Sequence, residues 1–305
     1  MKKWVVLFIL TLLSVSLSIS SFAAVESYTQ DFAGFDVDTE LKDDAWSGWS
    51  LIRPTDKGAY VKEADGNKYL DITSYYHAEY NTQLTEPYVY EVDVFNDKAN
   101  FNVSAFFVRA GKEKFDVMFG KATGFEFDGD HDIGFPSVGG SGIMVLPNSG
   151  KKLSLVVKTY DESNEYKIGN VKFEADVEAD FSTGFRTLKF VDDGETVKVY
   201  ANDELAFIVE MSDPGTYPVG EETYFKKVVV KGKDGNELGT VETARVSVDS
   251  VIIIGNRETQ FKIDNIKIYA LDDEPNTPTF DATTILPVVV SALVALVVFK
   301  KRQYA

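Results

Sequence analysis

The sequence predicts an all-β fold, an antiparallel two-sheet sandwich, between two apolar terminal segments. Three observations predict it: short runs rich in Val, Ile, Phe and Tyr, turn residues between the runs, and the lack of a helical period in any 10-residue window of the middle part. Alternation with a period of two places apolar side chains on one face of each strand. Two such layers bury these faces against each other.

The N-terminal segment, residues 1–23, has the layout of a secretory signal peptide. Two lysines precede an uncharged run at residues 4–17, and Ser21-Phe22-Ala23 forms a small-x-small cleavage site. Because the run is short and a cleavage site follows it, the pattern favours removal over a retained anchor. We therefore expect an exported protein whose folded domain covers residues 24–270.

Between the terminal segments, the strands are predicted from their alternation. At residues 88–94, four apolar side chains share one face while Glu91 and Asp93 occupy the other. The same alternation recurs at residues 115–119, 153–157 and 197–201. Turn residues lie at Asp65-Gly66-Asn67, Asp193-Gly194, Asn202-Asp203 and Asp234-Gly235-Asn236. Residues 185–211 are therefore predicted to form a three-strand meander.

The last predicted strand, residues 260–269, contains a change of phase. Phe261 and Ile263 share one parity, whereas Ile266 and Ile268 have the other. Because an alternating ladder cannot absorb such a slip, we expect a β-bulge at Asp264-Asn265.

The C-terminal segment, residues 282–299, contains no charged residue and precedes Lys300-Lys301-Arg302. As a helix it would be about 27 Å long, close to the roughly 30 Å hydrocarbon core. The basic triplet follows the positive-inside bias. We expect an acidic linker at residues 271–281, a single-pass transmembrane helix at 282–299 and a cytoplasmic tail at 300–305. A sorting signal is the alternative, although residues 286–289 lack the Thr-Gly of the Leu-Pro-x-Thr-Gly signal.

The composition limits the partners of the chain. The formal net charge is −17, and such a surface repels nucleic acid and anionic lipid headgroups, so we expect no nucleic-acid partner. The chain has no cysteine, which excludes disulfides, thiol catalysis and thiolate metal sites. A domain of this size can bury enough apolar area to fold without disulfides.

Four segments together resemble the concanavalin A-like or laminin-G-like jelly-roll sandwiches. They lie at residues 28–32, 65–70, 191–202 and 263–269. The resemblance implies two stacked antiparallel sheets with adjacent first and last strands, and a concave face or rim loops available for glycans. It covers lectins, glycan-binding modules, adhesion domains and some polysaccharide hydrolases, so it does not choose among these functions.

Residues 91–96, Glu-Val-Asp-Val-Phe-Asn, resemble the Glu-x-Asp-x-x-Glu strand of laminarinase-type glycoside hydrolases. The resemblance implies catalytic roles for the carboxyl groups at the first and last places. Asn96 stands at the last place, and an amide can neither protonate a leaving oxygen nor activate water. The histidines, His77 and His131, are far apart in sequence and lack a Gly-x-Ser-x-Gly elbow. We therefore expect a non-catalytic chain.

Two sets of carboxylates are candidate ligands of a structural calcium ion. Asp128, Asp130 and Asp132 alternate in a predicted loop, although the segment is not an EF-hand. The resemblance implies a second site at Asp264 in the last strand, with Asp31 as its companion. The alternatives are a solvated acidic turn for the first set and a bend at a strand edge for the second.

Aromatic residues cluster in two short segments and form the candidate ligand-binding site. They are Trp46, Trp49, Tyr75, Tyr76 and Tyr80. Sugar rings stack on flat aromatic surfaces, so an exposed row of these rings would bind a glycan. Packing at the end of the sandwich is the alternative.

The expected function is a non-catalytic cell-surface module that binds carbohydrate or another extracellular partner, such as a cell-surface or matrix protein. A structural or adhesive surface protein without a small ligand is one alternative. An extracellular glycoside hydrolase of laminarinase-like fold is another.

Overall fold

The computed structural model describes residues 25–41, 46–53, 59–73, 76–96, 104–111, 140–148, 150–163, 167–218, 221–256 and 260–273. The chain divides into two units, Met1–Leu271 and Asp272–Ala305, and every described strand belongs to the first. The predicted signal peptide, transmembrane helix and tail lie outside the described residues. Within the described residues, no helix has the length and apolarity needed to cross a membrane.

The described part is built from eighteen strands in chain order. They are β1 (Tyr28–Gln30), β2 (Trp49–Arg53), β3 (Ala59–Ala64), β4 (Asn67–Thr73), β5 (Tyr76–Tyr80), β6 (Tyr88–Phe95), β7 (Ser104–Ala110), β8 (Ile143–Asn148), β9 (Lys152–Tyr160), β10 (Ile168–Asp176), β11 (Arg186–Asp192), β12 (Thr196–Ala201), β13 (Glu204–Gly215), β14 (Tyr224–Gly232), β15 (Glu237–Val241), β16 (Val246–Ser247), β17 (Val251–Asn256) and β18 (Gln260–Ala270). A 3₁₀ turn at Leu271–Asp273 follows β18.

These strands form two antiparallel sheets. The large sheet has the order β15-β14-β13-β12-β11-β6-β18-β4-β3, with β1 added to β18 and β16 added to β14. The small sheet has the order β10-β9-β8-β7-β17-β5-β2. The predicted all-β, two-sheet architecture is confirmed. Tyr28 pairs with Ile268, so the first and last strands are neighbours, as the resemblance to jelly-roll sandwiches implies.

The predicted alternation is confirmed in the large sheet. In β6, Tyr90, Val92 and Val94 are buried, whereas Glu91 and Asp93 are half-buried. The predicted meander is also present, as β11 pairs with β12 and β12 with β13. Both residues of the turn between β12 and β13 have positive φ angles, which suits the right-handed twist of a hairpin.

The small sheet differs from the prediction because both faces of its middle strands are buried. Phe106 and Val145 point into the core between the sheets. Phe107, Met144 and Ile253 belong to a second buried cluster on the opposite face. Every residue of β8 and β17 is buried, so the near-continuous apolar sequence of these strands corresponds to burial on two sides.

The predicted β-bulge in the last strand is confirmed. The register of β18 against β6 shifts between Asp264 and Lys267, and Asn265 has a φ of 47°. Ile263 and Ile266 therefore both point into the core, although they have opposite parity in the sequence. Asn265 remains exposed on the outer face of the large sheet.

A buried ion pair joins the two sheets. Arg109 of β7 donates from Nε to Oδ2 of Asp192 in β11 at 2.5 Å, and its Nη2 donates to the other carboxylate oxygen. The Arg109 Nη1 donates to the backbone oxygen of Val248. Both charged side chains are almost completely buried.

Candidate functional site

The described aromatic residues of the predicted ligand site lie in the core. Trp46, Trp49, Tyr76 and Tyr80 are each at most 5% exposed. The rings of Trp46 and Trp49 stack at 4.8 Å between centroids, and those of Trp49 and Tyr80 lie 5.4 Å apart. Tyr75 lies outside the described residues. The packing alternative therefore describes these four rings, which do not form an exposed row.

The strand that resembles a hydrolase motif does not place its three positions on one face. Glu91 and Asp93 are on the outer face of the large sheet, where Glu91 accepts a hydrogen bond from the Tyr269 hydroxyl at 2.9 Å. Asn96 has the opposite parity and is 1% exposed, and its Nδ2 donates to the Pro147 carbonyl oxygen at 3.0 Å. Because Asn96 points into the interior, these positions cannot flank one glycosidic bond.

The first predicted calcium set, Asp128, Asp130 and Asp132, lies outside the described residues and stays a prediction. His131 lies outside them as well. His77 is described and is completely buried in β5.

The second predicted calcium set is described. Asp31 is exposed, and its Oδ1 accepts a hydrogen bond from the Ala33 backbone N–H at 3.0 Å. Asp264 is 2% exposed, and its two oxygens accept hydrogen bonds from the Asn265 backbone N–H at 2.7 Å and from Asn67 Nδ2 at 2.8 Å. Among the described residues, no group of three His, Cys, Asp or Glu side chains is arranged to hold a metal.

The environment of Asp264 raises the pKa of its carboxyl group. Burial is the main cause, and the nearby carboxylates of Asp93 and Asp31 add to it. The hydrogen bonds from Asn67 and Asn265 act in the opposite direction. Burial of the Asp264 carboxylate therefore costs desolvation free energy, and the hydrogen bonds from Asn67 and Asn265 hold the group in place.

Around the bulge, the outer face of the large sheet carries three half-buried aromatic rings. The ring of Phe185 lies 5.7 Å from that of Tyr69 and 5.8 Å from that of Phe95, measured between centroids. Lys262 Nζ lies 4.2 Å from the Phe95 centroid and 6.0 Å from the Tyr69 centroid. We call the surface formed by Tyr69, Phe95, Phe185, Lys262 and the neighbouring polar residues Asp71, Asp93, Asn265 and Gln260 the bulge patch.

Strand register explains why the bulge patch forms. Phe95 of β6 lies directly opposite Lys262 of β18, which lies opposite Asp71 of β4. Residues that face each other across antiparallel strands share one face, so these three form a row on the outer side. Tyr69 is two residues before Asp71 and therefore points to the same side.

The polar residues of the bulge patch are held by hydrogen bonds. Asp93 accepts from the Thr187 hydroxyl at 2.6 Å and from Asn265 Nδ2 at 2.9 Å. Gln260 Nε2 donates to both oxygens of Asp71, at 2.9 and 2.8 Å. Carboxylate and amide groups thus border the aromatic rings with fixed side-chain orientations.

The three rings of the bulge patch were not predicted from the sequence. Tyr69 lies in the segment 65–70 that resembles jelly-roll sandwiches, Phe95 in the hydrolase-like strand and Phe185 at the start of the predicted meander. Only the order of strands in the sheet brings them together, and strand order is not visible in a local pattern. Phe95 was detectable in part, because it has the parity of Glu91 and Asp93.

Solved structures of similar fold include a carbohydrate-binding module and two glucanases. The carbohydrate-binding module CBM66 from Bacillus subtilis is 9% identical, with 73% of this chain and 96% of that chain covered, at a TM-score of 0.37. The β-glucanase from Bacillus licheniformis is 11% identical, with 81% and 98% covered, at a TM-score of 0.40. The endo-β-1,3-glucanase from Pyrococcus furiosus is 11% identical, with 81% and 94% covered, at a TM-score of 0.42.

No family model matches the sequence, and no curated protein matches it.

Proposed function

We propose that this chain is a non-catalytic carbohydrate-binding module and that the bulge patch is its binding surface. One observation carries the proposal: Tyr69, Phe95 and Phe185 lie together, partly exposed, on the outer face of the large sheet. Aromatic rings offer flat apolar faces to the C–H groups of a sugar ring, and such contacts supply most of the burial in a shallow site.

The polar border of the patch supports carbohydrate as the ligand. Asp93 and Asn265 offer acceptor and donor groups beside the rings, and sugar hydroxyls both donate and accept. The hydrogen bonds among these residues fix their orientation before a ligand arrives, which lowers the entropy cost of binding. The formal net charge of −17 disfavours acidic glycans, so the proposed ligand is a neutral glycan.

Asn96 supports binding without hydrolysis. It occupies the acid/base position of the hydrolase-like strand as an amide, and its side chain points into the interior. A hydrolase of this type needs a second carboxyl group across the scissile bond from the first.

We further propose that the module is exported and displayed at the cell surface. The signal-like residues 1–23 and the apolar residues 282–299 support this location. A structural calcium ion at Asp128, Asp130 and Asp132 remains part of the proposal, and comparing melting temperatures in calcium and in chelator tests it.

A glycan array with the full chain in mild detergent, run in calcium and in chelator, tests the binding proposal. We expect a neutral oligosaccharide to be retained, and Tyr69→Ala or Phe185→Ala to weaken its binding about tenfold, since one stacked ring is worth about 1–1.5 kcal/mol. Tyr200→Ala is the matched control, because Tyr200 is a half-buried tyrosine of the same sheet outside the patch.

Two outcomes would count against the bulge patch. Retention of a glycan with unchanged affinity in both patch variants would move the site elsewhere. No retained glycan in either buffer would favour the structural or adhesive alternative.

A further inference from the structure

Among the described strands, β10 ends the small sheet, and no described strand pairs with its outer edge. It is nine residues long, the longest of the four strands that end the described sheets, and most of its residues from Gly169 to Asp176 are exposed or half-exposed. The outer edge of β3, in contrast, is paired with the chain at residues 39–41. The Val61 N–H donates to the Thr39 backbone oxygen at 2.9 Å, and the Leu41 N–H donates to the Ala59 backbone oxygen at 2.8 Å. A long open edge is a template for pairing with another strand.

Apolar surface accompanies this edge. Val171 in β10 is 37% exposed, and Leu238 in β15 is 47% exposed. Leu238 is adjacent to Gly239, where a Cβ atom would lie only 3.0 Å from the Phe173 ring. The end strands β10 and β15 therefore approach each other at Phe173 and Gly239.

The charges of β10 are self-complementary about Phe173. Lys172 and Glu174 lie on the outer face, and within one chain their side chains form an ion pair at 2.8 Å. If two copies of β10 pair in antiparallel fashion with the dyad at Phe173, Lys172 lies opposite Glu174 of the partner subunit, and the reverse pair forms by symmetry.

We propose that β10 pairs with β10 of a second copy of this chain in this register, which joins two small sheets edge to edge. On the inner face, Val171 then lies opposite Ala175 of the partner subunit, and the two Phe173 rings meet at the dyad. Apolar side chains thus face apolar ones, while opposite charges meet on the outer face.

The charge order also selects the register. Moving the dyad to residue 172 places Lys172 opposite itself, and moving it to residue 174 places Glu174 opposite itself. Like charges directly opposite each other destabilise a strand pair, so the dyad at Phe173 is favoured over both slipped registers. The partner that fits this edge is therefore a second copy, because no other sequence is guaranteed to carry the matching order.

Charge reversal tests the pairing in the full chain, measured by sedimentation in a density-matched mild detergent. The wild type is expected to dimerise. Lys172→Glu or Glu174→Lys alone places like charges at two symmetric positions and should weaken association at least about tenfold, or about 1.4 kcal/mol. The double variant Lys172→Glu/Glu174→Lys restores both pairs and should associate as the wild type does.

Disulfide trapping provides a second readout, because the chain has no cysteine of its own. A mixture of chains carrying Val171→Cys and Ala175→Cys should form a cross-linked dimer on oxidation, whereas each variant alone should not. A monomeric wild type, equal association of both single charge variants, or cross-linking of Val171→Cys with itself would overturn the proposal. None of these outcomes depends on glycan binding, which is proposed for the other sheet.

Discussion

At the scale of single residues, the Arg109–Asp192 pair is a buried ion pair that joins the two sheets. The Arg109 guanidinium uses three nitrogens and the Asp192 carboxylate two oxygens, so the pair is well satisfied. The Gly194 backbone N–H adds a hydrogen bond to Asp192 at 3.0 Å. Such a pair fixes the relative position of β7 and β11, because neither charge can be left alone inside the protein.

We expect Arg109→Met to lower the free energy of unfolding by about 3–5 kcal/mol, because it leaves the Asp192 carboxylate buried without its cation. Urea denaturation followed by tryptophan fluorescence measures this loss. Lys151→Met, which breaks the exposed pair with Glu178, should cost much less, because water screens this pair. Equal losses in the two variants would contradict a special role for the buried pair.

The raised pKa of Asp264 predicts a specific pH dependence. Between the unfolded pKa of about 3.9 and the higher folded pKa, the folded chain binds more protons than the unfolded chain. This carboxyl group therefore lowers the free energy of unfolding as pH rises through that window. Asp264→Asn should remove this component, so the variant should gain stability relative to the wild type as pH rises from about 4.

Melting temperatures across pH 4–7 measure the effect. Asp203→Asn, at an exposed turn, changes the charge equally and serves as the control. Parallel curves for Asp264→Asn and the wild type would show that burial does not perturb this carboxyl group.

Residue type alone did not identify the exposed aromatic rings. Trp46 and Trp49 are clustered aromatic residues, yet both lie in the core. Trp49 of β2 pairs with Tyr80 of β5 on the inner face, and Trp46, just before β2, stacks on Trp49. Parity states which residues share a face, but not whether that face is covered. The bulge patch was missed for the complementary reason, since its rings come from three separate segments.

At the scale of elements, the approach of β8 to β7 depends on one glycine. Gly142 has a φ of 101°, and a Cβ atom there would lie 2.9 Å from the Val108 carbonyl oxygen and 3.0 Å from the Ala110 nitrogen. Its own N–H donates to the Arg245 oxygen at 2.7 Å. Both the dihedral angle and the close backbone contacts therefore require glycine here.

We expect Gly142→Ala to destabilise the protein by roughly 2–4 kcal/mol, the sum of left-handed strain and overpacking against backbone atoms. Gly66→Ala is the matched control: its φ is 80°, but nothing lies within 4 Å of the added carbon. The control should lose only about 1–2 kcal/mol in the same urea titration. If the two alanine variants were equally stable, the close backbone contacts at Gly142 would not contribute to the loss of stability.

Elements were predicted well where the signal is local. The bulge at Asp264-Asn265 follows from a parity change inside one strand, and the meander of β11, β12 and β13 follows from adjacent runs with turn residues between them. The burial of β8 and β17 on both faces was not predicted, because a short apolar run does not show whether one or both faces of a strand are covered.

At the scale of the whole molecule, the excess of acidic residues sets the response to salt. The chain has 48 acidic and 31 basic residues, so repulsion among its charges exceeds attraction in the folded state. Raising sodium chloride from about 20 to about 300 mM shortens the screening length from roughly 20 Å to roughly 6 Å. We therefore expect the melting temperature to rise by a few degrees in a thermal scan, and a fall would mean that the surface ion pairs outweigh the net repulsion.

More of the architecture than of the candidate site could be predicted from the sequence. Two antiparallel layers and paired first and last strands follow from alternation, from turns and from the resemblance. The crossing order that places β18 between β6 and β4 depends on contacts between distant segments, and the candidate site depends on that order.

The position of β18 has a mechanical consequence. This strand pairs with β1, β4 and β6 and is followed directly by the chain that leads to the C terminus. A pull along the axis of β18 would load many of its backbone hydrogen bonds at once instead of opening them one after another. Under tension from its C-terminal side, the domain should resist extension as a clamp loaded in shear.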